Sequence, residues 1–287
     1  MTTDHDINLV LCATGKTGRR VVGRLEQVGV PVRASSRRSD PPFDWGDAAT
    51  WPAVLDRVSA VYIVFTPDLA FPGAADQIAA FTATARASGV SKGVLLSGRG
   101  EPGARQSEAA LQASGLDWTI LRSSWFFQNF SENFLLPGVL DGVISLPAGD
   151  VTEPFIDAED VAACAAEAML RQAHCGRVYE LTGPTLLGFA EVAQQLSDRL
   201  EQTVRYEPVT AAAYVTAAVR SGVPLDEAEA FAGLFATVLD GRNAATTADV
   251  EQILGRPASG FGGYVARTAA TGVWGSAEAT EASSVQR

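Results

Sequence analysis

The sequence of 287 residues is poor in the side chains that hold metals or form disulfides, with three cysteines and two histidines. Cys12, Cys164 and Cys175 show no C-x-x-C spacing, and neither His5 nor His174 has a cysteine or acid at ligand spacing. We therefore expect neither a metal site nor a disulfide framework. This cysteine usage is typical of a reducing compartment and predicts a cytoplasmic protein.

Excess positive charge and long apolar runs are also lacking. The formal net charge is −11, which opposes binding to nucleic acid or to an acidic membrane surface. No apolar run approaches the roughly twenty residues of a membrane span, and the polar start Met1–Asp6 does not resemble a signal peptide. We expect no nucleic-acid and no membrane partner. The 47% hydrophobic residues predict a packed globular protein.

The first motif is an apolar stretch, Ile7–Leu11, followed by a small loop and then by apolar residues at helical spacing from Val21 to Leu25. This order predicts a buried strand, a tight turn and a helix, which together open a βαβ unit. The free N–H groups and the dipole at such a helix start attract anions. The residues predicted to bind cofactor phosphates are Ala13, Thr14, Gly15, Lys16, Thr17 and Gly18.

The two glycines of this loop have separate expected roles. Gly15 would let the backbone approach a phosphate, and Gly18 would let the helix pack close to the sheet. In the G-x-x-G-x-x-G form of such loops the first position is glycine, but here it is Cys12. A plain tight turn is the alternative interpretation.

A second predicted strand, residues 30–35, is followed at once by Ser36, Arg37 and Arg38, with no acid before Asp40. In a dinucleotide-binding sheet this position lies over the adenosine ribose. An acid there would bind the 2′-hydroxyl of NAD, whereas arginine with serine suits the 2′-phosphate of NADP. We therefore expect NADP(H) to be preferred over NAD(H), with Arg37 as the main contact. A solvated basic turn is the alternative.

The next segment contains Asp44 and Trp45, which we expect to border the adenine. Trp45 could equally be a surface cap on the sheet. Further along, Thr66 and Pro67 follow a predicted strand, and Ser97 lies at the end of another.

Strands and helices alternate steadily as far as Arg122, which is the pattern of a doubly wound parallel sheet. Ligands bind such sheets outside the carboxyl ends of the strands. The glycine loop, Ser36–Arg37, Thr66–Pro67 and Ser97 fall at those ends. Thr66, Pro67 and Ser97 are accordingly predicted cofactor contacts.

After Ser123 the periodicity breaks at an aromatic cluster that starts at Trp125. A core helix is the common explanation of such a cluster. A pocket wall is the alternative, because the cluster directly follows the carboxyl end of a strand. The predicted substrate contacts are Trp125, Phe126, Phe127, Asn129 and Phe155.

These patterns predict an α/β fold in two parts. A dinucleotide-binding Rossmann domain covers residues 1–122 and 151–183. A smaller, mostly helical substrate lobe covers 123–150 and 184–274, with residues 139–146 interpreted as a hairpin-like excursion. The tail 275–287, rich in Ser, Ala and Glu, is expected to be disordered.

Several motifs in order resemble the NmrA-like group of atypical short-chain dehydrogenases. C-A-T-G-K-T-G over 12–18 is similar to its G-A-T-G-x-x-G loop, and S-G-L-D-W-T-I-L-R over 114–122 is similar to its S-G-L-x-[YW]-T-I-L-R-P. Asn129 matches the Asn of its F-x-x-N turn. F-I-D-A-E-D-V-A over 155–162 and Y-E-L-T-G-P over 179–184 resemble its later motifs. The matches extend from Ile7 to about Trp274.

The resemblance implies an NAD(P)-binding Rossmann domain in which Arg37 contacts the NADP phosphate. Ordinary short-chain dehydrogenases also use a serine, which Ser97 fits, and a Tyr-x-x-x-Lys pair for proton transfer. Here the Tyr position falls at Gly100 and the Lys position at Ala104. The usual proton relay is missing, so no catalytic residue is assigned beyond the candidate Ser97.

Three hypotheses follow. An NADPH-dependent reductase would act on a quinone-like, aromatic or activated-alkene substrate, or on a cationic dye, that accepts hydride with little help from an enzymic acid. The alternative is a non-catalytic NADP(H)-sensing protein with a protein partner, which the missing Tyr and Lys favour. The third is an isomerase, lyase or hydrolase-like step of a biosynthetic pathway on the same fold.

Overall fold

A computed structural model describes residues 6–132 and 134–275. The chain divides into two compact units. The sheet unit comprises Met1–Ser124, Ala158–Thr182 and Thr247–Pro257, and the helical unit comprises Trp125–Asp157, Gly183–Thr246 and Ala258–Arg287. The expected disordered tail, 275–287, lies outside the described residues except for Gly275, and so does His5.

Ten strands occur in the described ranges: β1 (Ile7–Val10), β2 (Val32–Ala34), β3 (Val58–Ile63), β4 (Lys92–Gly98), β5 (Asp117–Ser123), β6 (Val143–Leu146), β7 (Thr152–Glu153), β8 (Arg177–Leu181), β9 (Leu187–Gly188) and β10 (Arg205–Pro208). The α-helices there are α1 (Gly18–Gln27), α2 (Trp51–Leu55), α3 (Ala74–Ala87), α4 (Ala104–Ala113), α5 (Asn129–Glu132), α6 (Leu136–Leu140), α7 (Ala158–Leu170), α8 (Phe189–Leu200), α9 (Ala211–Arg220), α10 (Leu225–Val238), α11 (Asp249–Leu254) and α12 (Phe261–Ala269). None of these helices is long and apolar enough to cross a membrane.

The sheet unit is built on one six-stranded parallel sheet with the order β2-β1-β3-β4-β5-β8. The central strands are nearly continuous apolar runs. In β3 every residue except Ser59 is buried. Such runs are typical of parallel strands covered on both faces, because no face is left for polar side chains. The predicted doubly wound parallel sheet is confirmed.

Strand β4 demonstrates that both faces are covered. A Cβ on Gly93 would lie 3.0 Å from Leu111 of α4. Its neighbour Lys92 donates from Nζ to the carbonyl oxygen of Met169 in α7, at 3.0 Å. Successive residues of a strand point to opposite faces, so α4 and α7 lie on opposite faces of the sheet.

The boundaries of the two units differ from the predicted ones by one or two residues at Ser124 and Gly183 and by longer segments at 151–157 and 247–257. Residues 247–257 belong to the sheet unit, because the Asp249 carboxylate accepts a hydrogen bond from the backbone N–H of Glu180 in β8 at 2.6 Å. Residues 151–157 belong to the helical unit, because Ile156 donates to the carbonyl oxygen of Trp125 at 2.8 Å and accepts from Phe127 at 2.8 Å. Both of the longer differences arise from pairings between segments distant in sequence.

The helical unit contains an aromatic and aliphatic core and two small sheets. Phe130, Phe155 and Phe189 are almost completely buried and pack edge to face. The segment 139–146 is not a hairpin. It is the end of α6 followed by β6, which pairs with β10 in parallel. A parallel partner must come from far along the chain, which explains why local pattern did not reveal it.

Candidate nucleotide-binding site

The glycine loop joins the end of β1 to the start of α1 and turns with almost no free space. A Cβ on Gly18 would overlap the carbonyl oxygen of Cys12 and lie 2.9 Å from the Cα of Ala13, and one on Gly15 would lie 3.1 Å from the Cys12 oxygen. The loop is fixed by hydrogen bonds from Gly15 to Cys12 O at 2.8 Å and from Ala13 to Ser35 O at 2.9 Å. Its shape therefore depends on glycine, above all at position 18.

Cys12 occupies the place of the first glycine and adopts a glycine-like conformation, with φ of 50°. Its thiol donates to the carbonyl oxygen of Val64 at 3.4 Å. Burial raises the pKa of this thiol, while hydrogen bonds from Trp45 and Thr66 and the charge of Arg37 act in the opposite direction. The structure thus brings together, around Cys12, three of the residues predicted to contact the cofactor.

The turn after β2 presents Arg37 to solvent. Arg37 and Arg38 are both exposed, and Arg37 forms no hydrogen bond or ion pair within the described part of the chain. Ser36 Oγ accepts from the N–H of Arg38 at 3.2 Å, which leaves the hydroxyl hydrogen able to donate. A guanidinium and a hydroxyl therefore stand side by side at the carboxyl end of β2, where they could hold a phosphate.

Trp45 and Asp44, which are predicted to border the adenine, both form hydrogen bonds within the protein. Trp45 is only 7% exposed, donates from Nε1 to Val64 O at 3.0 Å and packs against Phe43, Phe65 and other rings. It is part of the core and not a surface cap. The Asp44 carboxylate accepts from the N–H of Gly46 at 2.9 Å, so it closes its own turn. Trp45 therefore exposes little of its ring, whereas Asp44 is half-buried, and their assignment to the adenine stays a prediction.

The predicted cofactor contacts at the ends of β3 and β4 differ in their exposure to solvent. Thr66 and Pro67 are exposed after β3. Ser97, near the end of β4, is 3% exposed and donates its hydroxyl hydrogen to Glu108 Oε1 at 2.7 Å. Because that hydrogen is engaged, the Ser97 oxygen can accept a hydrogen bond but not donate one in this arrangement.

Glu108 of α4 is the centre of an ionic network that the sequence analysis missed. Besides Ser97, it accepts from Arg122 at 2.6 and 2.9 Å and from Arg105 at 3.2 Å. Arg122 also lies 3.5 Å from the carboxylate of Glu180. Burial raises the pKa of Glu108, and the bonds from Ser97 and Arg105 oppose that shift. The only local sign of this role was that Glu108 lies three residues before Leu111, on the buried face of α4.

The positions of the usual tyrosine and lysine carry no reactive group. Gly100 forms a turn with φ of 73°, and Ala104 is fully buried at the start of α4. Next to Gly100, the Glu101 carboxyl folds back over the Cα of Gly98, in the space that a Cβ there would fill. Burial, and then the charges of Asp68 and Glu108, raise the pKa of Glu101 to about 8.

The predicted substrate contacts belong to the helical unit and fall into two groups. Phe127 and Phe155 are each 1% exposed and are core residues. Trp125, Phe126 and Asn129 are half-buried, so each offers surface to a ligand. The aromatic cluster is therefore partly core and partly accessible. No cluster of histidine, cysteine or acidic residues able to hold a metal occurs among residues 6–132 and 134–275.

The residues of the sheet unit fit an NAD(P)(H) molecule. The evidence is the tight turn before α1, whose backbone leaves no room for a Cβ at Gly18, and the exposed guanidinium of Arg37, which no hydrogen bond or ion pair engages within residues 6–132 and 134–275. Bound cofactor would lie with its pyrophosphate at the start of α1.

Two curated bacterial relatives match along almost the whole chain. A (4-alkanoyl-5-oxo-2,5-dihydrofuran-3-yl)methyl phosphate reductase of Streptomyces griseus is 34% identical over 275 residues, covering 88% of this chain and 94% of the relative. An NAD(P)H azoreductase of Xenophilus azovorans is 29% identical over 284 residues, covering 91% and 98%. No protein-family model matches the sequence.

Solved structures have the same fold. The NADPH-dependent quinone oxidoreductase of Escherichia coli, complexed with NADPH, superposes with a TM-score of 0.78 at 23% identity, covering 91% of this chain and 99% of that one. The negative transcriptional regulator NmrA, in complex with NAD, superposes with a TM-score of 0.68 at 14% identity, covering 94% and 98%. Together with the glycine loop, the sheet order and the curated relatives, these findings identify the chain as a member of the NmrA-like atypical short-chain dehydrogenases, a family of NAD(P)-binding Rossmann proteins whose relatives include NAD(P)H-dependent reductases.

Proposed function

We propose that the protein is an NADPH-dependent reductase that delivers hydride directly to an electron-poor small molecule. The observation that carries the proposal is the glycine loop before α1, in which a side chain at Gly18 would overlap the Cys12 carbonyl oxygen. Glycine at this position keeps the turn tight, and a tight turn into a helix start presents backbone N–H groups to a pyrophosphate. When bound, NADPH supplies the hydride from its nicotinamide ring.

The preference for NADPH rests on the turn after β2. Arg37 is exposed and unengaged by the described residues, and Ser36 beside it keeps a hydrogen to donate. A guanidinium forms strong, charge-assisted hydrogen bonds to a phosphate. The first acid of this turn, Asp40, comes four residues after Ser36. We assign Ser36 and Arg37 to the 2′-phosphate and residues 13–18 to the pyrophosphate.

The substrate class follows from the lack of the Tyr-x-x-x-Lys pair and from the relatives. A quinone, an activated alkene or an electron-poor aromatic compound accepts hydride with little help from an enzymic acid. The names of the relatives, a dihydrofuranone phosphate reductase, an azoreductase and a quinone oxidoreductase, support this class. We assign the half-buried Trp125, Phe126 and Asn129 to contacts with the apolar part of the substrate.

Oxidation of NADPH, followed by its absorbance, tests the proposal with a panel of quinones, azo compounds, dihydrofuranones and triphenylmethane dyes. We expect turnover with at least one class, with a higher kcat/KM for NADPH than for NADH. Tight binding of NADPH without turnover on any member of the panel would contradict a reductase.

A second candidate, a non-catalytic NADP(H) sensor with a protein partner, is favoured by one observation. The two positions that carry the usual proton relay are Gly100 and Ala104, which have no reactive side chain. The test is capture of partners on the immobilised protein with NADP⁺ and with NADPH. A sensor retains a partner in one redox state of the cofactor and releases it in the other, whereas identical retention in both states contradicts sensing.

A further inference from the structure

The direction of the bound cofactor follows from the strand order, and this inference rests on the proposed function. The 2′-phosphate site lies at the end of β2 and the pyrophosphate site at the end of β1. In the sheet the next two strands are β3 and then β4. Neighbouring strands lie about 4.8 Å apart, so both ends fall within roughly 10 Å of the pyrophosphate. The nicotinamide half of a bound cofactor would therefore continue over the ends of β3 and β4.

The carboxyl group of Glu101 stands at the end of β4. Glu101 follows the end of β4 by three residues, and its carboxyl lies against the Cα of Gly98, the last residue of the strand. Any side chain at position 98 would occupy the same space. Within residues 6–132 and 134–275, no hydrogen bond or ion pair engages the Glu101 carboxyl. It is half-buried, so one side of it is open to a ligand.

Burial and the negative charges around this carboxyl favour its protonated form. Asp68, in the loop after β3, and Glu108, on α4, both act on Glu101 as negative charges. The Asp68 carboxylate is itself held by the N–H of Ala70 at 2.7 Å, and Arg105 and Arg122 are ion-paired to Glu108. Burial and these two acids raise the pKa of Glu101 to about 8, so the group is mostly a neutral acid at pH 7.

We propose that Glu101 is the proton donor of the reductase and takes the place of the missing tyrosine. With a quinone, a hydride from NADPH adds to one carbonyl oxygen while the Glu101 O–H bond breaks and its proton adds to the other. The products are NADP⁺ and a hydroquinone, and the Glu101 carboxylate takes a proton back from water. A cationic triphenylmethane dye becomes neutral on accepting hydride, so its reduction uses no proton.

This difference between acceptors provides the first test. In Glu101→Gln, we expect the ratio of quinone to dye turnover to fall on the order of 10²-fold, the usual contribution of general acid catalysis. In the wild type, quinone reduction should be constant below pH 8 and fall as the pH rises further, because only the protonated acid donates. Glu26→Gln, an exposed change on α1, is the matched control and should keep the wild-type ratio.

The second test needs no cofactor. In protein labelled at glutamate Cδ, the NMR resonance that Glu101→Gln removes should titrate with a midpoint of about pH 8. Asp68→Asn should lower this midpoint because it removes a negative charge. A midpoint near the ordinary glutamate pKa of about 4.3 would overturn the proposal. If the wild type turns over and Glu101→Gln keeps the same ratio of quinone to dye turnover, only the role of Glu101 is overturned. If the wild type oxidises no NADPH with any acceptor, the proposed function is overturned as well.

Discussion

The contact between Arg37 and the 2′-phosphate of NADPH can be tested by replacing Arg37 with alanine. The guanidinium is exposed and unengaged within the described ranges, so its removal breaks no internal ion pair and should leave the fold intact. A hydrogen bond to a charged group contributes about 1.5–3 kcal/mol. The Kd for NADPH should therefore rise about 10- to 150-fold. The Kd for NADH should change much less, because NADH has no 2′-phosphate.

Titration calorimetry with both cofactors measures this change, at low salt and again near 0.15 M. The contact is exposed, so salt weakens it; the screening length is about 8 Å at 0.15 M. The ratio of the Kd for NADH to the Kd for NADPH should therefore be smaller at the higher salt concentration. Arg177→Ala removes the same charge from an exposed position on β8 and serves as the control. Equal losses for NADPH and NADH, or equal effects of the two variants, would refute the assignment of Arg37.

Three further predictions concern the loop and the buried ionic contacts. Gly18→Ala places a methyl group on the loop backbone and should lower both NADPH affinity and the unfolding free energy, the latter by about 1–3 kcal/mol, as calorimetry and urea unfolding would measure. Ser97→Ala removes a hydrogen bond to Glu108 and should cost about 1.5–3 kcal/mol of unfolding free energy, whereas Ser97→Thr, which keeps the hydroxyl, should cost less. Arg256→Ala leaves the fully buried Asp160 without its 2.7 Å ion pair and should cost about 1.5–3 kcal/mol, with Arg256→Lys closer to wild type in the same unfolding assay.

The titration of Glu101 also predicts how stability depends on pH. Its folded pKa, about 8, lies above the unfolded value of about 4.3. Between these values the folded protein binds more protons than the unfolded chain, so the unfolding free energy contributed by this group falls as the pH rises. The melting temperature of the wild type should therefore decrease, relative to Glu101→Gln, from pH 5 to pH 8. Parallel melting curves for the two proteins over this range would contradict the raised pKa.

The parts of the fold that sequence predicted are those encoded by neighbouring residues. The apolar run into Gly15 and Gly18, and the alternation of strands and helices up to Arg122, depend on spacing within a few residues. Local spacing is sufficient there because the strands and the helix of a βαβ unit follow one another in the chain and pack against each other. The parallel sheet could be predicted on these grounds, and the family was predicted from the resemblance of ordered motifs such as C-A-T-G-K-T-G over 12–18.

The parts that sequence did not predict depend on contacts between distant segments. The pairing of β6 with β10, and the addition of residues 247–257 to the sheet unit through Asp249, join segments about sixty or more residues apart. The hydrogen bond from the Trp45 indole N–H to Val64 O and the packing of its ring against Phe65 likewise join residues about twenty positions apart. Periodicity does not reveal such partners, because it describes one element at a time.

A proton donor with a pKa near neutral can be obtained in two ways, by lowering the pKa of a tyrosine or by raising the pKa of a carboxyl group. In the ordinary short-chain dehydrogenases a lysine cation lowers the pKa of a tyrosine, whose usual value is about 10. This chain has glycine and alanine at those positions, and the carboxyl next to them is raised to about 8 by burial, Asp68 and Glu108. Removing a nearby acid would lower the pKa of either donor, because it removes a negative charge that disfavours the anion. For Glu101 a lower pKa narrows the pH range in which the carboxyl stays protonated. If Glu101 is the donor, Asp68→Asn must move the alkaline limit of quinone reduction to lower pH, in step with the NMR midpoint.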